Sequence, residues 1–267
     1  MTTTIYKTEA GGEQIRRQYE EWLAHWPVPA DRRTVPTRHG DTFVMVSGPE
    51  HGPPVLLLHG SGGNTLTWLP LVGHLADRFR LHAVDVIGEP GLSAPSRPPL
   101  GSPAYAEWLD DVLDGLGLTE VRMAAVSLGG WLAIDYATRR PGRVTRMALM
   151  VPGGIGSQRF GKMAAYLLGR LLGRKEPEPK SPQDSYIRMV FRHFRPRLIM
   201  PRFSDAQLRR LTLPLLVIVG DQDELLDSAT TQRRLAAVAP QATVLTLAGE
   251  GHMLPDQSER IGEFLHA

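Results

Sequence analysis

The chain has 267 residues, 42% of them hydrophobic and 22% charged, with a formal net charge of +2 and no cysteine. That composition excludes a disordered or fibrous chain, a disulfide framework, a thiol nucleophile and a cysteine metal site, which leaves nucleophilic chemistry to Ser, Thr, Lys, Asp or Glu. No window approaches the ~20 consecutive apolar residues of a membrane span, and the start carries no apolar signal core, so a cytoplasmic protein without nucleic-acid partners is expected. The charge is unevenly spread. Between Gly153 and Arg210, 13 Arg and Lys stand against 4 Asp and Glu, a net of +9, and the remaining 17 and 24 leave −7. Such a basic segment reads first as a solvated helical face and second as a surface for an acidic substrate or partner.

Taken in chain order, residues 1–30 form a helical lead, because Ile15, Tyr19, Trp22, Leu23 and Trp26 fall on one helix face before Pro27 and Pro29 stop it. RRTVPTRHG and DTFVMVSG then read as an opening hairpin, with Pro36 pushing the first segment to an edge. Six apolar runs follow: PPVLLLHG, FRLHAVDV, VRMAAVS, RMALMVPG, LPLLVIVGD and ATVLTLAGEG. Most are separated by helix-like stretches, TLTWLPLVGHLADR, SPAYAEWLDDVLDGLG, SLGGWLAIDYATRRPG and SATTQRRLAAVAP. Continuous apolar strands alternating with helices predict an α/β fold, a doubly wound, mostly parallel sheet of about eight strands with helices on both faces. The alternation breaks once, over residues 153–213, where KMAAYLLGRLLG and SYIRMVFRHF look helical around the breaker-rich RKEPEPKSP. This predicts a helical cap inserted into a core of residues 31–152 and 214–267.

Ligands of such sheets bind beyond the carboxyl ends of the strands, so the residues after each run carry the functional reading. HGSGGN follows the first run, and its successive glycines suit a turn with exposed amides; without a lysine at the right spacing it is no nucleotide phosphate loop. VRMAAV runs into Ser127, and the helix begins at once. A strand turning that sharply needs small residues two positions either side of the serine, here Ala125 and Gly129, and leaves the Leu128 amide at the positive end of the helix. The competing reading of Ser127 is a plain helix cap. GDQDELLD places Asp221, Asp223 and Asp227 after a later strand, each able to orient a histidine, and GEGH brings His252 after the last. Ser, Asp and His in this order, each in a turn after a strand, are the parts of a catalytic triad.

With these motifs the chain resembles the α/β-hydrolase superfamily over nearly all of Val35 to Leu265, and within it bacterial carboxylesterase-type members with a helix ahead of the hairpin. The resemblance implies Ser127 as nucleophile, His252 as base and Asp223 as the acid, the last because family members usually read GxxDxxxP, which aligns Gly220 and Asp223. It departs from the family at that final proline, replaced by Asp227, and at DVIGEPGLS, Asp85 to Ser93, which is one residue longer than the usual DxxGxGxS and has Glu89 and Pro90 between its glycines. A serine at position 127 disfavours haloalkane dehalogenase and epoxide hydrolase chemistry, which use Asp there.

The expected reaction is therefore hydrolysis of a carboxylic ester through an acyl-enzyme, with the Ser61 and Leu128 amides binding the oxyanion and no metal or organic cofactor. Gly60, Trp131 and Met253 are expected to border the substrate, a small hydrophobic ester. Phe160, Met163, Tyr166, Leu167, Met189, Phe191 and Phe194 in the cap favour an apolar acyl or alcohol group where they face the pocket, though the first reading of most is packing against the sheet, and Arg159, Arg188 and Arg192 could meet a carboxylate. A monomer or homodimer is expected. Two other readings compete: carbon–carbon bond hydrolysis of a keto-dienoic acid, since HGSGGN approaches HGxGPG, and a non-hydrolytic or binding use of the same fold.

Overall fold

Each apolar run becomes a strand of one sheet. The hairpin is β1 (Ala30–Val35) and β2 (Thr42–Ser47), and the six runs give β3 (Pro54–Leu58), β4 (Arg80–Val84), β5 (Val121–Val126), β6 (Val144–Met150), β7 (Leu215–Gly220) and β8 (Ala242–Leu247). The eight strands lie in the order β1-β2-β4-β3-β5-β6-β7-β8, antiparallel in the first two pairings and parallel in the rest. The computed structural model describes residues 5–159, 161, 178, 181–197 and 199–267. Among these, the helices are α1 (Glu9–Leu23), α2 (Leu69–Leu75), α3 (Ala104–Gly115), α4 (Leu128–Arg139), α5 (Pro182–His193), α6 (Asp205–Leu208), α7 (Ser228–Val238) and α8 (Ser258–His266). None of them is long and apolar enough to cross a membrane.

Successive strand residues point to opposite faces, which divides the core in two. Leu56, Met123 and Val217 pack with Trp108 of α3, Leu132 and Tyr136 of α4 and Leu235 of α7. Leu57, Ala124 and Ile218 pack on the other face with Tyr19 of α1, Val72 and Leu75 of α2, and Ile261 and Leu265 of α8. Each such side chain contributes about 1.5–3 kcal/mol when fully buried, so two filled faces hold the central strands firmly in register. β8 is only partly covered, because it is the sheet's edge.

Between β6 and β7 the described residues include α5 and α6. α5 starts at Ser181, whose side chain accepts from the Asp184 amide, with Pro182 in the first turn. The helix expected over KMAAYLLGRLLG lies outside the described residues, with Phe160 and most of RKEPEPKSP. The N-terminal lead packs against α5. Ile15 of α1 shares an apolar cluster with Val190 and Phe194, Trp22 stacks on Tyr186 at 6.3 Å, and Lys7 Nζ donates to the Phe191 and Arg192 carbonyls at the end of α5. α1 ends at Leu23, ahead of the prolines, and Trp26 donates its Nε1–H to Ser47 Oγ at 2.9 Å as the chain turns into the sheet.

Candidate active site

The centre of the site is the join between β5 and α4. Ser127 takes φ 50° and ψ −107°, a region that side-chain-bearing residues rarely adopt. Its amide donates to Met150 O at 3.0 Å, while its carbonyl accepts from Trp131 N and Gly153 N, both at 3.1 Å, so the strained residue is clamped from both sides. The turn works only because strand and helix can nearly touch. A Cβ on Gly129 would lie 2.1 Å from Leu58 O, and one on Gly130 would lie 2.9 Å from Pro152 Cβ. Ala125 stands where the usual motif has glycine; it is fully buried between Leu58 and Leu149 in neighbouring strands.

His252 reaches this serine from the loop after β8. Its Nε2 is 3.1 Å from Ser127 Oγ, and its Nδ1 is 2.8 Å from Asp223 Oδ2. An ionised carboxylate only accepts, so Nδ1 carries the proton and Nε2 is left to accept from the serine hydroxyl. Asp223 is buried, and its other oxygen accepts from the Leu225 and Leu226 amides at 2.8 Å. The neighbouring acids do other work. Asp221 accepts from the Gly249 amide at an exposed position, and Asp227 caps α7 by accepting from Thr230 N.

The turn after β3 faces the elbow, since a Cβ on Gly60 would lie 3.3 Å from Ser127 Cβ. The Gly60 carbonyl is held by His59 Nδ1 at 2.8 Å and Gly63 N at 3.0 Å. Val86 N donates to His59 Nε2 at 2.9 Å, which forces the ring proton onto Nδ1; burial pushes this imidazole down to about 4, so it stays neutral. In a planar trans peptide the N–H points opposite to the C=O, so pinning Gly60 O aims the Ser61 N–H. Among the described residues, neither the Ser61 nor the Leu128 amide has an acceptor.

The expected site residues thus divide. Ser127, Asp223 and His252 are brought together, Gly60 lies against the serine, and Met253 is 77% exposed beside His252. Trp131 is not in the pocket wall: it is 1% exposed, stacks on Phe203 at 5.1 Å and donates Nε1–H to Pro201 O. The reason is that nearly every residue of α4 is buried, so its apolar residues pack into the core all round. Of the expected cap arginines, Arg159 donates its backbone N–H to Leu225 O at the rim.

Two buried acids around the site went unread in the sequence. Asp85, at the end of β4, accepts from Tyr19 OH, Thr65 N and Leu92 N, and burial raises its carboxyl to about 6. Glu89 accepts from Gly62 N at 2.8 Å and Ser61 Oγ at 3.1 Å. The only sequence signal for it was the unusual insertion in DVIGEPGLS.

The sequence profile of the alpha/beta hydrolase family matches residues 55–264. The uncharacterized carboxylesterase nap of Bacillus subtilis (strain 168) is 25% identical, over 100% of this chain and 97% of its own length. Carboxylesterase YbfK of the same organism is 27% identical, over 94% of this chain and 92% of its own. The crystal structure of naproxen esterase (carboxylesterase NP) from Bacillus subtilis superposes with a TM-score of 0.82 at 27% identity, covering 96% of this chain and 97% of that one. The profile spans most of the sheet and every turn of the site, and the chain belongs to the alpha/beta hydrolase family.

Proposed function

We propose that this protein hydrolyses carboxylic esters through an acyl-serine, and the continuous contact from Asp223 through His252 to Ser127 Oγ, at 2.8 and 3.1 Å, carries that reading. Ser127 Oγ attacks the ester carbonyl as His252 Nε2 takes its proton, and Asp223 holds the ring and balances the imidazolium charge. The negative oxygen of the tetrahedral intermediate accepts from the Ser61 and Leu128 amides, a type of contact worth about 10²–10³ in rate per donor. Collapse expels the alcohol, protonated by His252. Water, deprotonated by the same nitrogen, then attacks the acyl-enzyme and releases the acid and the serine.

Apolar side chains at the edge of the site support a hydrophobic ester. Phe191 of α5 sits over Gly62, Leu225 follows Asp223 by two residues, and Met253 adjoins His252; all three are exposed. We assign α5 to the roof of this pocket, where its Phe191 meets the turn that carries Ser61 and Gly62. The carboxylesterase names of the relatives with nearly full-length matches agree with the reaction class.

A p-nitrophenyl ester series run together with a fluorophosphonate probe tests the proposal. The expected result is a specificity constant that rises from acetate to the medium-chain acyl esters, with one probe adduct on the peptide containing Ser127. A folded protein that takes no label, or one that cleaves a keto-dienoic acid and no ester, would overturn it.

A further inference from the structure

Beside the proposed oxyanion turn lies a buried ion cluster that the reaction above does not use. Glu89, 1% exposed, sends Oε2 to Gly62 N at 2.8 Å and to Ser61 Oγ at 3.1 Å. Ser61 Oγ in turn accepts from Arg197 N at 3.1 Å, in the segment after α5. Glu89 Oε1 faces Arg97 Nη2 at 3.7 Å. Arg97 is itself anchored, Nε on Gly88 O and Nη1 on Arg195 O, both at 2.7 Å, with its guanidinium 4.8 Å from the Phe194 ring centre. The carboxylate thus ties together three segments distant in sequence: the Ser61 turn, the loop after β4 and the return from the cap.

We propose that Glu89 is a positioning residue for oxyanion stabilisation, holding Gly62 N and Ser61 Oγ so that the Ser61 amide keeps its aim at the reacting oxygen. This rests on the ester-hydrolase reading of the same site. The Gly60–Ser61 peptide is fixed upstream by the grip of His59 and Gly63 on the Gly60 carbonyl, and Glu89 supplies the downstream grip. A hydrogen-bond donor adds to the rate only if it is already aimed where charge develops, so a turn held at one end alone would lose part of that effect. Glu89 is also one of the two residues that stand between the glycines of this loop, where the usual family pattern has one.

A carboxylate near a developing oxyanion raises the question of repulsion. The groups that face Glu89 answer it: Arg97 from its own loop and Arg197 from the cap return outweigh one negative charge, while Tyr6 from the N-terminal segment and Tyr105 of α3 stay neutral, burial pushing each phenol up to about 12. Burial lifts the Glu89 carboxyl to about 7, against the pull of the Gly62 amide and the two guanidiniums. The ionised form is the better acceptor, so the grip weakens as pH falls through 7.

The test compares wild type, Glu89→Gln, Ser61→Ala and the double variant, with Ser127→Ala as the control. Glu89→Gln keeps the shape and one acceptor; its kcat for a p-nitrophenyl ester is expected to fall 10- to 100-fold with KM within about twofold. Inhibition by an aryl trifluoromethyl ketone, which forms an oxyanion on the serine, weakens by a similar factor, while that by the matching methyl ketone changes little. The effects of Glu89→Gln and Ser61→Ala are less than additive because the two share one contact. Unchanged kcat and unchanged trifluoromethyl ketone affinity in Glu89→Gln overturn the inference. Full activity in Ser127→Ala instead overturns the ester-hydrolase reading, whatever Glu89 does.

Discussion

Ser127→Ala is expected to lower kcat for an aryl ester by about 10⁵-fold or more, since removing a serine nucleophile that works with its histidine abolishes the shared chemistry and not one contact among several. The substitution removes one oxygen, bonded among the described residues to His252 Nε2. The backbone bonds from Ser127 to Met150, Trp131 and Gly153 do not involve that oxygen and remain. KM for the same ester is therefore expected to stay within a few-fold, and the far-ultraviolet spectrum to stay unchanged. Steady-state assays with purified variant, checked against probe labelling, measure it. Activity within tenfold of wild type excludes the acyl-serine mechanism.

The second large effect belongs to the buried acid. Asp223→Asn is expected to reduce kcat/KM by about 10³–10⁴-fold, because an amide placed where Oδ2 stands can present an N–H to the ring, drive the proton to Nε2 and leave no lone pair there for the serine hydroxyl. The amide oxygen can still accept from Leu225 N and Leu226 N, so the loop after β7 keeps its shape. Asp221→Asn supplies the contrast. Asp221 is exposed and accepts from the Gly249 amide, a bond an asparagine oxygen retains, so activity is expected to remain within about threefold of wild type. Equal losses in the two variants would remove Asp223 from its special role.

The reason the site could be read so far from sequence is topological. Each of Ser127, Asp223 and His252 follows an apolar run, and parallel strands put all their carboxyl ends on one edge, so linear order alone collects the three side chains. Choosing among Asp221, Asp223 and Asp227 from the residues alone was beyond that logic, since all three lie past the same strand; the family spacing pointed to Asp223, and in the structure Asp223 is the acid that meets His252. Contacts across loops were less legible. Glu89 meets Gly62 and Ser61 from 27 and 28 residues away, and nothing in local periodicity marks such a pairing. Trp131 failed for the opposite reason: its helix is buried on nearly every side, and hydrophobicity cannot tell a pocket wall from a packed core. The C-terminal helix α8 passed unnoticed because it has only nine residues, although Ile261 and Leu265 fall a turn apart on its buried face.

The angles at Ser127 carry one more consequence. Among the described residues, the side-chain-bearing positions with positive φ are Ser127, at 50°, and Val151, at 42°, and they sit on either side of one contact, the Ser127 amide on the carbonyl of Met150. Each such residue holds about 1–3 kcal/mol of unfavourable backbone energy, stored where the reactive hydroxyl is presented. Glycine adopts these angles without that penalty, at a chain-entropy cost of roughly 0.5–1 kcal/mol. Ser127→Gly is therefore expected to melt a few degrees above Ser127→Ala, at about 2–4 °C per kcal/mol for a chain of this size, and scanning calorimetry on the pair would show it. An equal or lower Tm would mean the elbow is relaxed. Heat tolerance and the presentation of the serine then draw on the same two backbone angles, so selection for a more durable protein would begin by eroding the turn that makes it reactive.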